Sequence, residues 1–423
     1  MNLTERDQNN IWHPYTQHKT AALPIVIRRG EGALLWDENN KEYIDAIASW
    51  WVNPYGHSNT FIAEAIYKQL TTLEHVLFGG FTHEPAIVLA EKLLKILPKN
   101  QQKVFFSDNG STSVEVAIKV ALQYFFNKGT KKTTIIAFEN AFHGDTFAAM
   151  AASGISFYTR AFQGMFIDVV RIPVPTKGQE QESFDALRNV IKKHNCAGFI
   201  FEPLVQGAAG MVMYEPESLN ELIRICKKNK VLTIADEVMT GFGKTGKTFA
   251  CDYLTETPDM MCLSKALTGG TIPMAITTFT QDIFEAFYDE DINKALFHGH
   301  TFTANPTGCA AALASLELLQ TQEMQDNIAR VNQRHLEFQK QIETYPKVAT
   351  TRVLGTIFAL EIKTESDASY YGSLRNKLYD FFIENGVILR PVGNIVYILP
   401  PYIITDEQLQ KVYEVVEKVL KIV

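Results

Sequence analysis

The sequence lacks most features that mark secreted, membrane-spanning or nucleic-acid-binding proteins. Its five cysteines are widely spaced and form no Cys-x-x-Cys pair, which argues against a disulfide framework and a structural zinc site. No run approaches 18 apolar residues, and the polar first ten residues lack a signal-peptide core. Basic residues number 40 and acidic residues 47, so the net charge of −7 argues against nucleic acid or an anionic membrane as a general partner. We therefore expect a cytoplasmic protein with reduced thiols and no metal.

Tryptophan is absent after residue 51, although the chain has 423 residues and 46% of them are hydrophobic. This length is too great for one hydrophobic core and predicts two or three domains. The hydrophobic fraction is that of an ordinary globular protein and excludes a disordered or fibrous one. All four tryptophans lie near the N-terminus, at Trp12, Trp36, Trp50 and Trp51.

The middle of the chain alternates short apolar runs with amphipathic stretches. This alternation predicts parallel βαβ units, and hence an α/β fold with a mostly parallel sheet between helices. In such sheets, ligands bind beyond the carboxyl ends of the strands. The predicted strands are residues 103–107, 133–138, 169–172, 197–201, 231–235 and 260–263, and the helical patterns include 112–126 and 216–229.

The two ends of the chain have a different pattern. Residues 25–47 carry two strand-like runs around a polar turn at 37–40. The C-terminal part predicts a long helix at 323–345, strands at 356–362 and 395–399, and a closing helix from 406. We predict a large α/β domain over residues 60–310. Residues 311–423 are predicted to form a smaller α+β domain, to which residues 1–59 contribute together with an active-site segment.

Two charged positions follow predicted strands in the middle of the chain. The apolar run at 231–235 leads directly into Asp236 and Glu237, and the run at 260–263 ends just before Lys265. A lysine at the end of a buried strand is costly unless it is paired, exposed or used chemically. The alternative for the acidic pair is an ordinary strand end that faces solvent.

Three further segments follow strands in the same way. Gly110 and Ser111 open a predicted helix, with Thr112 and Glu115 as its capping box, and free amide groups at a helix start form a site for phosphate. An aromatic and a histidine, Phe142 and His143, follow the second strand, and Glu202 follows the fourth. Each has an ordinary alternative: a well-capped helix, a core aromatic, or a hydrogen-bonded loop residue.

Taken together, these positions match what pyridoxal 5′-phosphate requires. The lysine bonds to the aldehyde of the cofactor, and the carboxylate pairs with the pyridine nitrogen. The helix start binds the phosphate, and an aromatic side chain stacks on the ring. Each signal is weak alone, but their order on successive strand ends makes the combination strong.

The sequence resembles the class III aminotransferases of fold type I over essentially its whole length. The segments that carry the resemblance include WHPYT (12–16), SWW (49–51), GSTSVEVAIK (110–119), FHGDT (142–146), EPLVQGAAGM (202–211), ADEVMTGFGKTGK (235–247), SKALTGG (264–270) and HGHTFTANP (298–306). WHPYT and SWW point to the branch of the family in biotin biosynthesis. The resemblance then implies transfer of an amino group from S-adenosylmethionine to 8-amino-7-oxononanoate.

The family pattern implies a role for each matching residue. The implied catalytic residues are Lys265, Asp236 and Tyr15. The implied cofactor residues are Gly110, Ser111, Phe142, His143, Glu202, Asp236, Lys265, His300 and Thr301. The implied substrate residues are Tyr15, Trp50, Trp51, Phe142, Lys244, Lys265, Gly299 and Arg390. The resemblance also implies a homodimer with active sites at the subunit interface, because Thr301 would reach the phosphate of the neighbouring subunit.

The substrate carboxylate is expected to bind Arg390, whose planar guanidinium suits a bidentate contact. If Trp50 and Trp51 lie on a strand, they face opposite sides, and we then expect Trp50 to contact substrate. Three residues depart from the family pattern: Phe142, Lys244 and His300 stand where Tyr, Arg and Pro are usual. These departures leave lysine open as the amino donor. Two other functions are kept as alternatives on separate grounds: another class III ω-amino-acid aminotransferase or aminomutase, and a non-enzymatic binding module.

Overall fold

The computed structural model describes residues 1–154, 156–364 and 373–422. The strands in chain order are β1 (Ile27–Glu31), β2 (Leu34–Asp37), β3 (Glu42–Asp45), β4 (Gln101–Ser107), β5 (Thr134–Phe138), β6 (Val169–Ile172), β7 (Cys196–Phe201), β8 (Val205–Gln206), β9 (Val212–Met213), β10 (Leu232–Asp236), β11 (Met260–Leu263), β12 (Ala275–Thr280), β13 (Val348–Leu354), β14 (Ile357–Ile362), β15 (Val387–Ile388) and β16 (Ile395–Ile398).

The helices in chain order are α1 (Leu3–Asn10), α2 (Ala48–Trp51), α3 (Thr60–Leu70), α4 (Glu84–Ile96), α5 (Gly110–Asn127), α6 (Phe147–Ala152), α7 (Ser156–Thr159), α8 (Glu180–Lys193), α9 (Pro216–Lys228), α10 (Gln281–Glu285), α11 (Pro306–Leu319), α12 (Gln322–Ile342), α13 (Ser373–Glu384) and α14 (Asp406–Ile422). Short 3-10 turns lie at Arg160–Met165, Ala250–Tyr253, Lys265–Thr268 and Ile292–Lys294. None of these described helices combines the length and apolar character needed to cross a bilayer.

A seven-stranded sheet forms the centre of the molecule, with the order β4-β12-β11-β10-β7-β5-β6. The neighbours β11, β10, β7, β5 and β6 run parallel, and β12 runs antiparallel to both β11 and β4. The predicted α/β fold with a mostly parallel sheet between helices is therefore confirmed. All six strands predicted in the middle of the chain are present, and the antiparallel β12 is an addition.

Both faces of this sheet are covered, so its strands read as continuous apolar runs. Along β10, Ile234 packs into the core cluster that includes α5, whereas the next residue, Ala235, belongs to the cluster on the opposite face. Met260 and Met261 of β11 divide in the same way. With both faces buried, the carboxyl edge of the sheet remains the place where polar side chains can meet a ligand.

The two chain ends meet in a second sheet, with the order β1-β2-β3-β15. The C-terminal strand β15 pairs in parallel with β3, matching Val387 with Ile44. Strands flank the polar turn at 37–40 as predicted, but the first run folds back at Gly32 and forms both β1 and β2, so the segment has three strands rather than two. A third sheet, β13-β14-β16, adds the unpredicted strand β13. The division into domains remains a prediction, and residues 365–372 of its C-terminal unit lie outside the described residues.

Candidate active site

A cavity of about 480 Å³ lies at the carboxyl edge of the seven-stranded sheet. Its lining comes from the segments that follow β4, β5, β7, β10 and β11, with two residues, Trp51 and Val52, from the N-terminal part of the chain. Among the lining residues are Asp108, Gly110, Ser111, Phe142, His143, Glu202, Asp236, Lys265 and Trp51. The structure thus brings together eight of the residues that the sequence predicts for a site.

The last residue of β10, Asp236, is buried at the base of this cavity. Its Oδ2 lies 2.7 Å from Nδ1 of His143, and its Oδ1 accepts a 3.1 Å hydrogen bond from the amide of Val238. Nδ1 of His143 therefore carries the hydrogen, and its Nε2 is an acceptor. That Nε2 is buried, and it has no hydrogen-bond partner among the described residues.

Glu202 follows β7 and is also buried beside the cavity. Its carboxylate accepts hydrogen bonds from the amides of Phe142 (3.1 Å) and Gly207 (3.0 Å). Burial, with a contribution from Asp236 and against the opposing effect of His143, raises the pKa of Glu202 to about 7. Glu202 thus fixes the backbone of the segment that carries the predicted ring-stacking residue.

Lys265 begins the 3-10 turn after β11 and has a positive φ of 51°. Its ammonium nitrogen lies 4.7 Å from the ring centre of Trp51. Burial lowers the pKa of Lys265, and the carboxylates of Asp236 and Glu202 act in the opposite direction. The lowered pKa enlarges the neutral fraction of this amine, which is the form that attacks a carbonyl.

The start of α5 also lines the cavity. Asn109 is the N-cap residue and exchanges two hydrogen bonds with Thr112, so the predicted capping box of Thr112 and Glu115 was wrong. Glu115 instead accepts hydrogen bonds from Thr146 (2.7 Å) and from the amides that begin α6. It thereby ties the segment after β5 to the first turns of α5.

Two glycines allow these segments to approach closely. A Cβ atom on Gly144 would lie 2.1 Å from Oγ of Ser111, and φ at Gly144 is +126°. A Cβ atom on Gly110 would lie 2.7 Å from Cγ1 of Val238. The amide of Asp145 donates a 3.0 Å hydrogen bond to Oγ of Ser111 across this contact. A larger residue at either glycine would push the helix start and the loop apart.

These residues fit pyridoxal 5′-phosphate. The first turn of the 18-residue helix α5 offers amide groups and the positive end of the helix dipole to a phosphate. Asp236 offers a carboxylate to a protonated ring nitrogen, and Lys265 offers an amine to an aldehyde. Nε2 of His143, buried and without a partner in the described part of the chain, is a further polar atom that a bound ligand can satisfy.

The two adjacent tryptophans lie on a left-handed turn rather than on a strand. The four residues of α2 have φ values of 47°, 46°, 71° and 71°, a conformation that costs about 1–2 kcal/mol per residue without glycine. The turn is held by the fully buried Asp45, whose Oδ2 accepts hydrogen bonds from Ser49 (2.7 Å) and His57 (3.0 Å). The prediction that only one tryptophan faces the site rested on a strand, and that premise was wrong. Trp51 lines the cavity, whereas Trp50 does not and is 36% exposed.

A group of aromatic and basic side chains surrounds Trp50 outside the cavity itself. The guanidinium of Arg390 lies 4.6 Å from the ring centre of Trp50, and the ring of Tyr15 lies 5.7 Å away. The hydroxyl of Tyr15 donates a hydrogen bond to Asp145. Among the described residues, no carboxylate forms an ion pair with Arg390, and its Nε has no hydrogen-bond partner. An anionic substrate can therefore bind this guanidinium without displacing a partner.

Besides Tyr15, Trp50 and Arg390, four further predicted residues do not line the cavity. Lys244 is almost completely buried, and its Nζ donates a 3.1 Å hydrogen bond to the carbonyl of Gly241. Burial and the charge of Lys265 lower the pKa of Lys244 to about 7, against the opposing effect of Glu237. Gly299, His300 and Thr301 precede α11, and Nδ1 of His300 lies 3.6 Å from Oδ2 of Asp108, which lines the cavity. Their roles, like those of the other predicted site residues, remain predictions.

Sequence reasoning missed three residues near the site. Tyr158 lies between Tyr15 and Phe142, with ring centres 5.5 Å and 6.3 Å away. Asp108 lines the cavity, and Asp145 anchors Tyr15. Both aspartates belong to segments that the sequence had already singled out, at the helix start and in FHGDT. Tyr158 gave no such signal, because its neighbours form no motif and its place depends on the path of the chain after α6.

Comparison with known proteins gives a consistent result. Residues 15–420 match the family described as Aminotransferase class-III. An adenosylmethionine-8-amino-7-oxononanoate aminotransferase from Synechococcus elongatus is 42% identical over 97% of this chain and 98% of its own length. The crystal structure of the protein of that same name from Methanocaldococcus jannaschii is 34% identical, covers 98% of both chains and has a TM-score of 0.92. An ω-transaminase from Pseudomonas jessenii, solved in complex with PMP, is 28% identical with coverages of 100% and 98% and a TM-score of 0.92.

Proposed function

The chain belongs to the class III aminotransferase family, and on that premise we propose that it transfers an amino group from S-adenosylmethionine to 8-amino-7-oxononanoate. The product would be 7,8-diaminononanoate, an intermediate of biotin biosynthesis, made in the cytoplasm. The observation that carries the proposal is the arrangement of Lys265, Asp236 and the start of α5 around one cavity. The Synechococcus elongatus and Methanocaldococcus jannaschii proteins, which match 97% and 98% of the chain, carry the name of this reaction.

We propose pyridoxal 5′-phosphate as the cofactor. Lys265 would hold its aldehyde, Asp236 its ring nitrogen, and Gly110 with Ser111 its phosphate, while Phe142 would lie against the ring. When bound, this group withdraws electrons from the carbon that carries the amino group and so makes a proton on that carbon removable.

Lys265 is the residue placed to move that proton. Its lowered pKa leaves a larger neutral fraction at pH 7, and a neutral amine can accept a proton and later return it. Asp236 stays next to the ring because His143 and the amide of Val238 both donate hydrogen bonds to its carboxylate. A carboxylate held in this way would stabilise a positive charge on the ring nitrogen that it faces.

The substrates are proposed to enter between the tryptophan turn and Arg390. The guanidinium binds a carboxylate, and the rings of Trp50, Trp51 and Tyr15 provide an apolar wall for an aliphatic chain. Few fixed polar groups lie on this wall, which suits a slot that must accept two unlike substrates in turn. We also propose a homodimer in which Thr301 of each chain completes the phosphate site of the partner.

Replacement of the lysine tests the proposal most directly. We expect Lys265→Ala to lower turnover by about 10⁴-fold or more, because no other described amine lines the cavity. The variant Lys192→Ala, on the exposed part of α8, should retain full activity. Turnover of Lys265→Ala at the wild-type rate would contradict the proposal, whereas cofactor binding by this variant would not.

One other function has support from a solved structure. The ω-transaminase of Pseudomonas jessenii has the same fold, so an ω-amino acid is the second candidate acceptor or donor. Single-turnover reactions with S-adenosylmethionine, lysine and 4-aminobutyrate, followed by 8-amino-7-oxononanoate, separate the two. We expect S-adenosylmethionine to reduce the absorbance of the bound cofactor and 8-amino-7-oxononanoate to restore it. If lysine reacts and S-adenosylmethionine does not, lysine replaces S-adenosylmethionine as the proposed donor. If 8-amino-7-oxononanoate does not restore the absorbance, the proposed reaction is excluded.

A further inference from the structure

A chain of four polar side chains leads from the surface of α5 to the cavity. Nζ of Lys119 lies 3.0 Å from Nδ1 of His298, and Nε2 of His298 lies 3.2 Å from Nε2 of His300. Nδ1 of His300 then lies 3.6 Å from Oδ2 of Asp108, which lines the cavity. Lys119 and His298 have no role in the chemistry described above, and His300 has only the role of a cofactor residue that the family resemblance implies.

The lysine fixes the direction of every hydrogen in this chain. An ammonium group only donates, so Nδ1 of His298 must accept and its Nε2 must carry the hydrogen. That hydrogen goes to Nε2 of His300, which leaves the hydrogen of His300 on Nδ1, facing Asp108. Burial and the charges of Lys119 and His300 lower the pKa of His298, against the opposing effect of Glu115, which agrees with a neutral ring in this arrangement.

The carboxylate of Asp108 lies where a negative charge would repel a phosphate bound at the start of α5. Asp108 immediately precedes the N-cap residue Asn109 and lies on the same wall as Gly110 and Ser111. A negative carboxylate beside a phosphate site weakens the binding of the anion unless a donor faces the carboxylate. His300 is the residue that presents such a donor.

We propose that His300 is a positioning residue that ends the hydrogen-bond chain from Lys119 and His298 and turns its N–H towards Asp108, 3.6 Å away, and so keeps this carboxylate from opposing the cofactor phosphate. This inference rests on the proposed function, because it assumes that a phosphate binds at the start of α5. His300 acts through Asp108 and does not itself take part in the transfer of the amino group.

Two substitutions and their combination test the inference through cofactor affinity. The dissociation constant of pyridoxal 5′-phosphate is measured by spectral titration of the full-length protein. We expect His300→Ala to raise this dissociation constant about fivefold, a change of the size that loss of one hydrogen bond produces. His300→Gln keeps a donor and an acceptor and should bind within about twofold of wild type. His194→Ala, at an exposed position after α8, is the matched control and should leave the constant unchanged.

The decisive comparison uses Asp108→Asn, which removes the charge that His300 is proposed to mask. When His300→Ala is combined with Asp108→Asn, the histidine substitution should have no further effect, because a double-mutant cycle removes terms that do not involve the pair. The same fivefold loss in the presence of Asp108→Asn would overturn the inference, and so would unchanged affinity of His300→Ala with Asp108 intact. If His300→Ala does not fold, Asp108→Asn alone decides: binding weaker than wild type overturns the inference. A wild-type protein that binds no cofactor would instead overturn the proposed function, and this inference with it.

Discussion

The buried residues at the base of the cavity differ in construction from the group of Trp50, Arg390 and Tyr15, which is called the mouth below. At the base, Asp236, His143 and Glu202 are buried, follow neighbouring strands of one sheet and hydrogen-bond to each other or to nearby amides. At the mouth, Arg390 and Trp50 come from opposite ends of the chain and contact each other without a hydrogen bond. We propose from this comparison that the fixed groups serve the chemistry common to both substrates, while the less constrained groups serve recognition of two different molecules. Four substitutions test this division.

The largest effect is expected at the base. Asp236→Ala removes the carboxylate that His143 and the amide of Val238 hold in place, and we expect kcat to fall about 10³-fold. Steady-state kinetics of the purified enzyme measure this, and Asp185→Ala on the exposed face of α8 is the control. A loss smaller than tenfold would show that the base is less critical than its hydrogen bonds indicate.

At the mouth, Arg390→Ala should act on binding rather than on chemistry. Loss of a charge-assisted contact to the acceptor carboxylate should raise KM for 8-amino-7-oxononanoate by about 10- to 100-fold, with a much smaller change in kcat. Arg390→Lys should give an intermediate KM, because it keeps the charge and loses the planar fork. Equal losses in kcat and kcat/KM would instead assign Arg390 to the transition state and remove the distinction between the regions.

Replacement of Tyr15, which contacts Trp50 and hydrogen-bonds to Asp145, should have a smaller effect. Tyr15→Phe removes the hydrogen bond to Asp145 and leaves the ring beside Trp50, so we expect a threefold to fivefold fall in kcat/KM, about one neutral hydrogen bond. Cofactor affinity should not change. Tyr67→Phe, on an exposed tyrosine of α3, controls for loss of a hydroxyl. A 100-fold loss would place Tyr15 among the groups that react.

Lys244 lies outside both regions, and its replacement should affect stability more than activity. Its pKa of about 7, against an ordinary value near 10.5, means that the unfolded chain binds more protons between these pH values. The free energy of unfolding of the wild type should therefore rise from pH 7 towards pH 10. Lys244→Met lacks this rise and should be more stable than wild type at pH 7, by roughly 1 kcal/mol or more.

Denaturant unfolding at pH 7, 8.5 and 10 measures the difference, and the gap between the two proteins should narrow as the pH increases. KM values of Lys244→Met should stay within about twofold of wild type, because its ammonium does not line the cavity. A tenfold rise in KM for either substrate would support the sequence-based role of Lys244 in substrate binding and contradict the interpretation from burial.

The difference between the base and the mouth also explains which features could be predicted from the sequence. The strands of the central sheet are buried on both faces, so their apolar runs and the polar residues after them, such as Asp236 and Lys265, are visible without a structure. The mouth depends on contacts that no local pattern encodes. The left-handed turn at Trp50 uses residues without glycine, and it exists because the buried Asp45 and His57 hold it.

Side-chain partners were less predictable than the elements that carry them. The start of α5 was predicted within two residues, yet its cap is Asn109 rather than Thr112, because several polar residues there compete for the same amides. Lys244 looked like an available cation in a glycine-rich segment. Its burial follows from the packing of that segment against Thr356 and Tyr402, more than 100 residues later in the chain.

The pairing of β3 with β15 has a consequence for the order in which the protein can assemble. Trp50 lies five residues after β3, and Arg390 lies two residues after β15, so this pairing sets their separation. During synthesis, the strand ends of the central sheet leave the ribosome long before β15 does. A nascent chain can therefore complete the base of the cavity early, whereas its mouth must wait for nearly the last tenth of the polypeptide. A chain shortened before residue 387 should retain the means to hold a cofactor but not the means to choose a substrate.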